Sequence, residues 1–260
     1  MRARKFQFYR QISPYFCFFL IIFSTLIVSD NFSNVNPETP DLRSLRISTI
    51  GDSLTRGVLG ADMTENKWQS LTYQYYLYQT LEEYGYNSSI FNYGEPGERI
   101  WEIFSRINLT IPSDIIVIMA GTNDILADLD PELENLSSFI DPLIEMYGPL
   151  LYFINEQHLK LGIDLPLILL NSIPPFGANF FLPDNSNDAV LYFNERLNRY
   201  ISELGLENVK YCDVHAEMSN SLNSIKPGLA FIDGVHFTQL GYKVCGEKIA
   251  ECILNNYLSA

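Results

Sequence analysis

Arg46-Ile47-Ser48-Thr49-Ile50-Gly51-Asp52-Ser53-Leu54-Thr55 is the stretch on which the fold turns. Ile47, Thr49 and Ile50 are β-branched, the residue type that packs best on a pleated strand. Gly51 lets the backbone change direction sharply. Asp52 and Ser53 follow, and both types open helices by accepting backbone N–H groups that have no partner in the first turn. A strand running straight into a helix is the first half of a strand–helix–strand unit, whose crossover makes the next strand parallel.

The same alternation continues along the chain. Strands are expected at Arg46–Gly51, Ser89–Tyr93, Asp114–Ala120, Leu165–Asn171 and Val209–Val214. Helical patterns lie near Trp68–Tyr84, Arg99–Ile107, Leu136–Leu159, Ala189–Leu204 and Gln239–Leu258. Short apolar runs alternating with helices mark a parallel sheet covered on both faces. The expected fold class is therefore α/β: a three-layer α/β/α sandwich around a five-stranded parallel sheet, doubly wound in the flavodoxin-like order. In such sheets ligands bind outside the carboxyl ends of the strands. The residues just after each strand are thus where chemistry is sought.

Charge narrows the function classes. The 260 residues carry 17 Lys+Arg against 31 Asp+Glu, a net charge of −14. Nucleic-acid binding needs a basic footprint, so it is excluded as a partner class. Arg2, Arg4, Lys5 and Arg10 all precede residue 29 and no acid does, leaving 13 basic against 31 acidic residues, −18, for the remainder. Behind those four cations, Tyr15 to Val28 is apolar or aromatic apart from Ser24 and Thr25. A basic start followed by such a run reads as an export signal, and as an N-terminal membrane anchor if it is not cleaved. The organisation expected is a signal peptide or anchor over 1–28, a Pro-containing linker over 29–44, and one α/β domain over 45–260. The localisation expected is exported, secreted or periplasmic, with N-terminal membrane association as the alternative; the domain is expected to be a monomer.

Cys17 lies in the leader, and Cys212, Cys245 and Cys252 form no C-x-x-C pair, so no metal site is expected. Cys245 and Cys252 sit seven apart on one helix, about 10 Å of rise, too far to bridge each other. Three buried thiols are expected, with one disulfide at most.

Four short motifs follow the strands. Gly51-Asp52-Ser53-Leu54 offers a hydroxyl at a strand-to-helix turn, and Asn92-Tyr93-Gly94-Glu95-Pro96-Gly97 offers glycines that let backbone approach a ligand. Gly121-Thr122-Asn123-Asp124, after the apolar Ile115 to Met119, projects a carboxamide into the same crevice. In Asp233-Gly234-Val235-His236 a carboxylate three residues before an imidazole can hold Nδ1–H and leave Nε2 outward, as a serine nucleophile requires of its base. Each has a plainer reading as a cap or turn. His215, beside Asp213, is a rival base without a clear orienting hydrogen bond, and His158 is expected to be solvated.

In this order the four motifs resemble the GDSL or SGNH hydrolase superfamily of esterases and lipases, over residues 46 to about 245. The resemblance implies Ser53 as nucleophile, His236 as general base and Asp233 as its orienting partner. It implies an oxyanion hole from the backbone N–H groups of Ser53 and Gly97 and the Asn123 carboxamide; Gly97 fits the family's Asn-x-x-x-x-Gly spacing better than Gly94. Phe237-Thr238 departs from the Pro-Asn that often follows the histidine, a difference for the local turn. No G-x-S-x-G is present, which argues against an α/β-hydrolase nucleophile elbow. The activity implied is serine esterase chemistry on acyl esters, without metal or organic cofactor. Alternatives are acyl transfer by the same residues and a silent binding protein of the same fold. Asp52, Asp124 and Phe176 are assigned to substrate binding; Phe176 opens the apolar loop Pro174 to Pro183, which is expected to line or lid a pocket for a small-molecule, sugar or lipid ester.

Overall fold

In the computed structural model, residues 44–59, 72–133, 135–177 and 182–257 are described. The leader, nearly all of the linker, Trp68 and residues 178–181 of the apolar loop lie outside them. The strands are β1 (Ser44–Gly51), β2 (Asn87–Gly94), β3 (Ile115–Met119), β4 (Leu167–Asn171) and β5 (Val209–Cys212). All neighbours pair in parallel, in the order β2-β1-β3-β4-β5. This is the doubly wound arrangement expected.

Side-chain alternation along the strands builds the two outer layers, because successive residues of a strand face opposite sides. Ile50, Ile116, Ile118, Ile168 and Leu170 join one apolar core. It is closed by α3 (Ile100–Ser105), α5 (Ser137–Glu145), α6 (Tyr147–Leu161) and α7 (Ser186–Leu204). Ile47, Ile115, Val117, Met119, Leu167 and Leu169 join the other. There α2 (Tyr73–Glu83) and α9 (Gln239–Tyr257) pack on the sheet and on each other. The short helices α1 (Ser53–Arg56), α4 (Thr122–Asp128) and α8 (Val214–Met218) follow β1, β3 and β5. Every residue of β3 is buried, as a central parallel strand covered on both faces must be. Among the described residues no helix is long and apolar enough to cross a membrane.

Three expectations are corrected. The helical pattern Leu136–Leu159 is two helices, α5 and α6, that change over at Met146. Pro149 has no N–H to give Glu145 and its ring would crowd that carbonyl, and it falls in the first turn of α6, where proline is best tolerated. His158 is not solvated but fully buried, with Nδ1 2.9 Å from the Ile154 carbonyl and Nε2 3.2 Å from that of Ser113. A helical histidine reaches its own i−4 carbonyl, and the apolar positions around it carry that face into the core.

The cysteines do not remain three thiols. Cys212, ending β5, is bonded to Cys252 on α9, with Cα atoms 5.9 Å apart, while Cys245 stays free and buried. Proximity of β5 and α9 is a tertiary fact, and neither chain spacing nor composition shows it. The bridge spans a sequence separation of 40 residues, a loop for which closure entropy corresponds to about 3–4 kcal/mol. Reduction is expected to lower the unfolding free energy by about 2–4 kcal/mol, read by urea titration with and without reductant. The Cys252→Ser variant should show no further response to reductant.

Candidate active site

The carboxyl end of β1 is where the three leading loops meet. A Cβ on Gly51 would stand 2.2 Å from Thr55 Oγ1 and 2.3 Å from the Met119 carbonyl oxygen, so the close approach of β1, β3 and α1 demands glycine. Asp52 is the N-cap of α1, and its Oδ1 accepts the Leu54 N–H at 2.9 Å. This sets Ser53 as the first residue of α1, only 6% exposed.

The loop after β2 is tied to this turn. Glu95 N–H donates to the Gly51 carbonyl at 3.0 Å, and Asn92 Nδ2 donates to the Thr55 carbonyl at 2.9 Å. A Cβ on Gly94 would lie 2.2 Å from Arg56 N. Gln74, from α2, donates to the Thr55 carbonyl and to Thr49 Oγ1, both at 2.9 Å. Its role was not read from the sequence; a lone amide inside the tyrosine-rich face of α2 was the available signal. Gly97 has φ +82°, the left-handed region that suits glycine, and no atom lies within 4 Å of where its Cβ would be.

The loop after β3 closes on the loop after β2. Asn123 Nδ2 donates to the Glu98 carbonyl at 2.8 Å, and Asp124 Oδ2 accepts the Ile100 N–H at 3.0 Å. Gly121, at φ +115°, leaves no room for a side chain beside Ile173 and Phe193. Ser53, Gly97 and Asn123 thus belong to three loops that are hydrogen-bonded into one rim.

His236 comes to this rim from a hairpin loop of Phe231 to His236, whose ends are joined by the Phe231 N–H to the His236 carbonyl at 2.8 Å. Its Nε2 lies 3.0 Å from Ser53 Oγ, and its Nδ1 lies 2.7 Å from Asp233 Oδ2. Asp233 Oδ1 accepts the Val235 and His236 N–H groups at 2.9 and 3.0 Å. Partial burial pushes the Asp233 carboxyl up, but those N–H groups and the imidazole outweigh it and hold its pKa below the ordinary value. Phe237 is fully buried against Tyr242, and Thr238 Oγ1 accepts the Gly241 N–H at 3.2 Å at the head of α9. The departure at Phe237-Thr238 therefore supplies a core anchor and a helix cap. The rival His215 is buried on α8, with Nδ1 3.0 Å from Ser219 Oγ, while Asp213 caps that helix through Ala216 N–H.

A family model described as GDSL-like Lipase/Acylhydrolase matches residues 47–249. The chain belongs to this family. Membership makes it an ester hydrolase, and the match covers the whole sheet except the first residues of β1. No curated protein sequence matches the chain. Among solved structures, it is similar to the native aryl esterase of M. smegmatis, at 18% identity over 82% of this chain and 99% of that one, with a TM-score of 0.61. The lipase Lip_vut3 from a goat rumen metagenome is 21% identical over 80% and 96%, at 0.59. A GDSL-like lipase from Bacteroides thetaiotaomicron is 19% identical over 81% and 88%, at 0.53. At these identities the likeness is one of fold.

The three assignments to substrate binding are corrected by burial. Asp52 is wholly buried and Asp124 is 4% exposed; Asp52 Oδ1 accepts the Leu54 N–H of α1, and Asp124 Oδ2 accepts the Ile100 N–H that opens α3. Phe176, 2% exposed, belongs to the apolar core under α7. Asn187 grips the backbone of Phe176 at both N–H and C=O, at 2.7 and 3.0 Å, and Asn194 does the same for Ile173, at 2.7 and 2.8 Å. These two amides of α7 settle the course of the chain after β4 and turn the Phe176 ring inward. A run of apolar residues in a loop has the same appearance whether it lines a pocket or packs on the domain's own flank.

Burial, the largest influence on both, pushes the Asp52 and Asp124 carboxyls up to about 6. A carboxyl raised in the folded state binds its proton more tightly there than in the unfolded chain. The stability it contributes is full below about 4 and is lost as pH rises through about 6. Asp124→Asn should therefore gain stability relative to wild type between pH 4 and pH 7, read as the difference of their thermal unfolding midpoints across that window.

Proposed function

We propose that the protein hydrolyses carboxylic esters through an acyl-enzyme, with Ser53 as nucleophile, His236 as general base and Asp233 as the partner that orients it. The observation that carries the reading is the unbroken relay from Asp233 Oδ2 through both nitrogens of His236 to Ser53 Oγ, at 2.7 and 3.0 Å. Asp233, held ionised, accepts Nδ1–H and so selects the tautomer whose Nε2 can take a proton. Ser53 Oγ attacks the ester carbonyl carbon as its proton passes to Nε2. The tetrahedral oxyanion is met by the N–H groups of Ser53 and Gly97 and by the Asn123 amide. One Asn123 N–H is already committed to Glu98, which aims the other. On collapse the alcohol leaves with the proton from His236; water then attacks the acyl-enzyme by the same route and releases the acid.

The substrate class proposed is a short acyl ester of a sugar or a lipid, hydrolysed without metal or organic cofactor by a monomeric domain over 45–260. The basic leader supports export, or anchorage if it is retained, and the Cys212–Cys252 bridge is in keeping with an oxidising compartment.

Ser53→Ala should abolish hydrolysis of short acyl esters while leaving the thermal midpoint close to wild type; an active, folded variant would sink the assignment. Asn123→Ala should lower kcat by roughly 10²- to 10³-fold with a smaller change in KM, measured by steady-state kinetics on a graded ester panel.

A further inference from the structure

Two buried oxygens beside the relay are not explained by it. Asp52 Oδ1 caps α1, but Oδ2 makes no hydrogen bond with any described residue. Thr122 Oγ1, 1% exposed, makes none either. The two stand on segments that leave neighbouring strands in register, Gly51 of β1 pairing with Met119 of β3, and the Thr122 hydroxyl is one of the groups that favour the charged form of Asp52. A buried acceptor and a buried hydroxyl left without partners are costly, so each favours any arrangement that pairs them. Hydrogen bonds of catalytic sites tighten when substrate is bound.

Their positions give such a pairing a consequence. Asp52 precedes Ser53 and Thr122 precedes Asn123, so the pair would bridge the loops that carry the nucleophile and the oxyanion amide. Hydrogen bonds of the rim run from the β1 loop to the β2 loop, and from the β2 loop to the β3 loop. β1 and β3 already pair at Gly51 and Met119, and an Asp52–Thr122 hydrogen bond would add a side-chain tie between the first loop and the third.

We infer that Asp52 is a positioning residue which, by accepting the Thr122 hydroxyl at Oδ2 as the oxyanion forms, sets the separation of Ser53 from the Asn123 amide. The inference rests on the proposed roles of Ser53 and Asn123. It predicts an effect on the transition state rather than on ground-state binding.

The test is a double-mutant cycle on a short acyl ester. Thr122→Val keeps the side-chain outline and removes the hydroxyl. Asp52→Ser keeps an oxygen that can cap α1 and removes Oδ2. Thr122→Val should lower kcat about tenfold with KM within about twofold, and Thr122→Ser should restore it. The double variant should be no slower than the slower single, as for two ends of one contact. Wild-type kcat in Thr122→Val, failure of Thr122→Ser to restore it, or multiplied losses in the double variant would overturn the inference. Thermal midpoints accompany each assay, so a fall in stability with unchanged kcat counts against it. If Asp52→Ser does not fold, the Thr122 pair decides. The outcomes separate from those for the function itself: an inactive Ser53→Ala beside a fully active Thr122→Val removes only the positioning role.

Discussion

The approach of β1 to its neighbours at Gly51 is the constraint on which the site depends. A backbone with no Cβ at that point lets the Met119 carbonyl and the Thr55 hydroxyl come closer than any other residue would permit. The turn that follows is then narrow enough to begin α1 at Ser53, with Asp52 as its cap. Gly94 repeats the device on the other side, where β2 packs on the backbone of α1. Glycine gives up conformational entropy to be held in place; here the return is a hydroxyl at the sheet's carboxyl edge, only 6% exposed.

Around that point the rim is built from polar groups inside an apolar sandwich. An unpaired polar atom in such surroundings is costly, whereas a paired one specifies geometry. Gln74, Asn92, Asn123 and Asp124 each commit a side-chain group to the backbone of another segment, so the segments cannot drift independently. The Asp233–His236 hairpin is organised in the same manner, with one carboxylate holding two backbone N–H groups and the imidazole. Burial raises Asp52 and Asp124 while the hairpin lowers Asp233, so three carboxylates of one site have different protonation behaviour for stated physical reasons.

Much of this was legible in the residues. The five strands and their parallel direction follow from short apolar runs alternating with helical patterns, because only a sheet covered on both faces buries such strands; their order was expected only by resemblance to the flavodoxin-like arrangement. Asp233 and His236 stood out because Asp-x-x-His places a carboxylate within reach of an imidazole, and Ser53 because it follows a strand-to-helix turn; their roles were implied by the resemblance of the four motifs, taken in order, to the hydrolase family. Other features were not legible. Phe176 reads as a pocket lining until Asn187 and Asn194 are seen to hold the loop inward. His158 reads as a helix-end surface residue until the core reaches it. A helical pattern does not say which of its prolines marks a changeover: Pro142 lies inside α5, whereas Pro149 follows the changeover at Met146.

The sequence by itself determined the layers, the direction of the strands and the residue types at their carboxyl ends, because these depend on periodicity, turn chemistry and spacing within a few residues. Tertiary structure alone decided what lies 183 residues apart in the chain: the 3.0 Å contact of Ser53 with His236. It likewise decided the pairing of Cys212 with Cys252 and the burial that turns Asp52 and Asp124 from candidate ligand contacts into supports of the rim. Contacts between distant segments are set by how whole elements pack, and burial is a property of the packed molecule that no local window of residues contains.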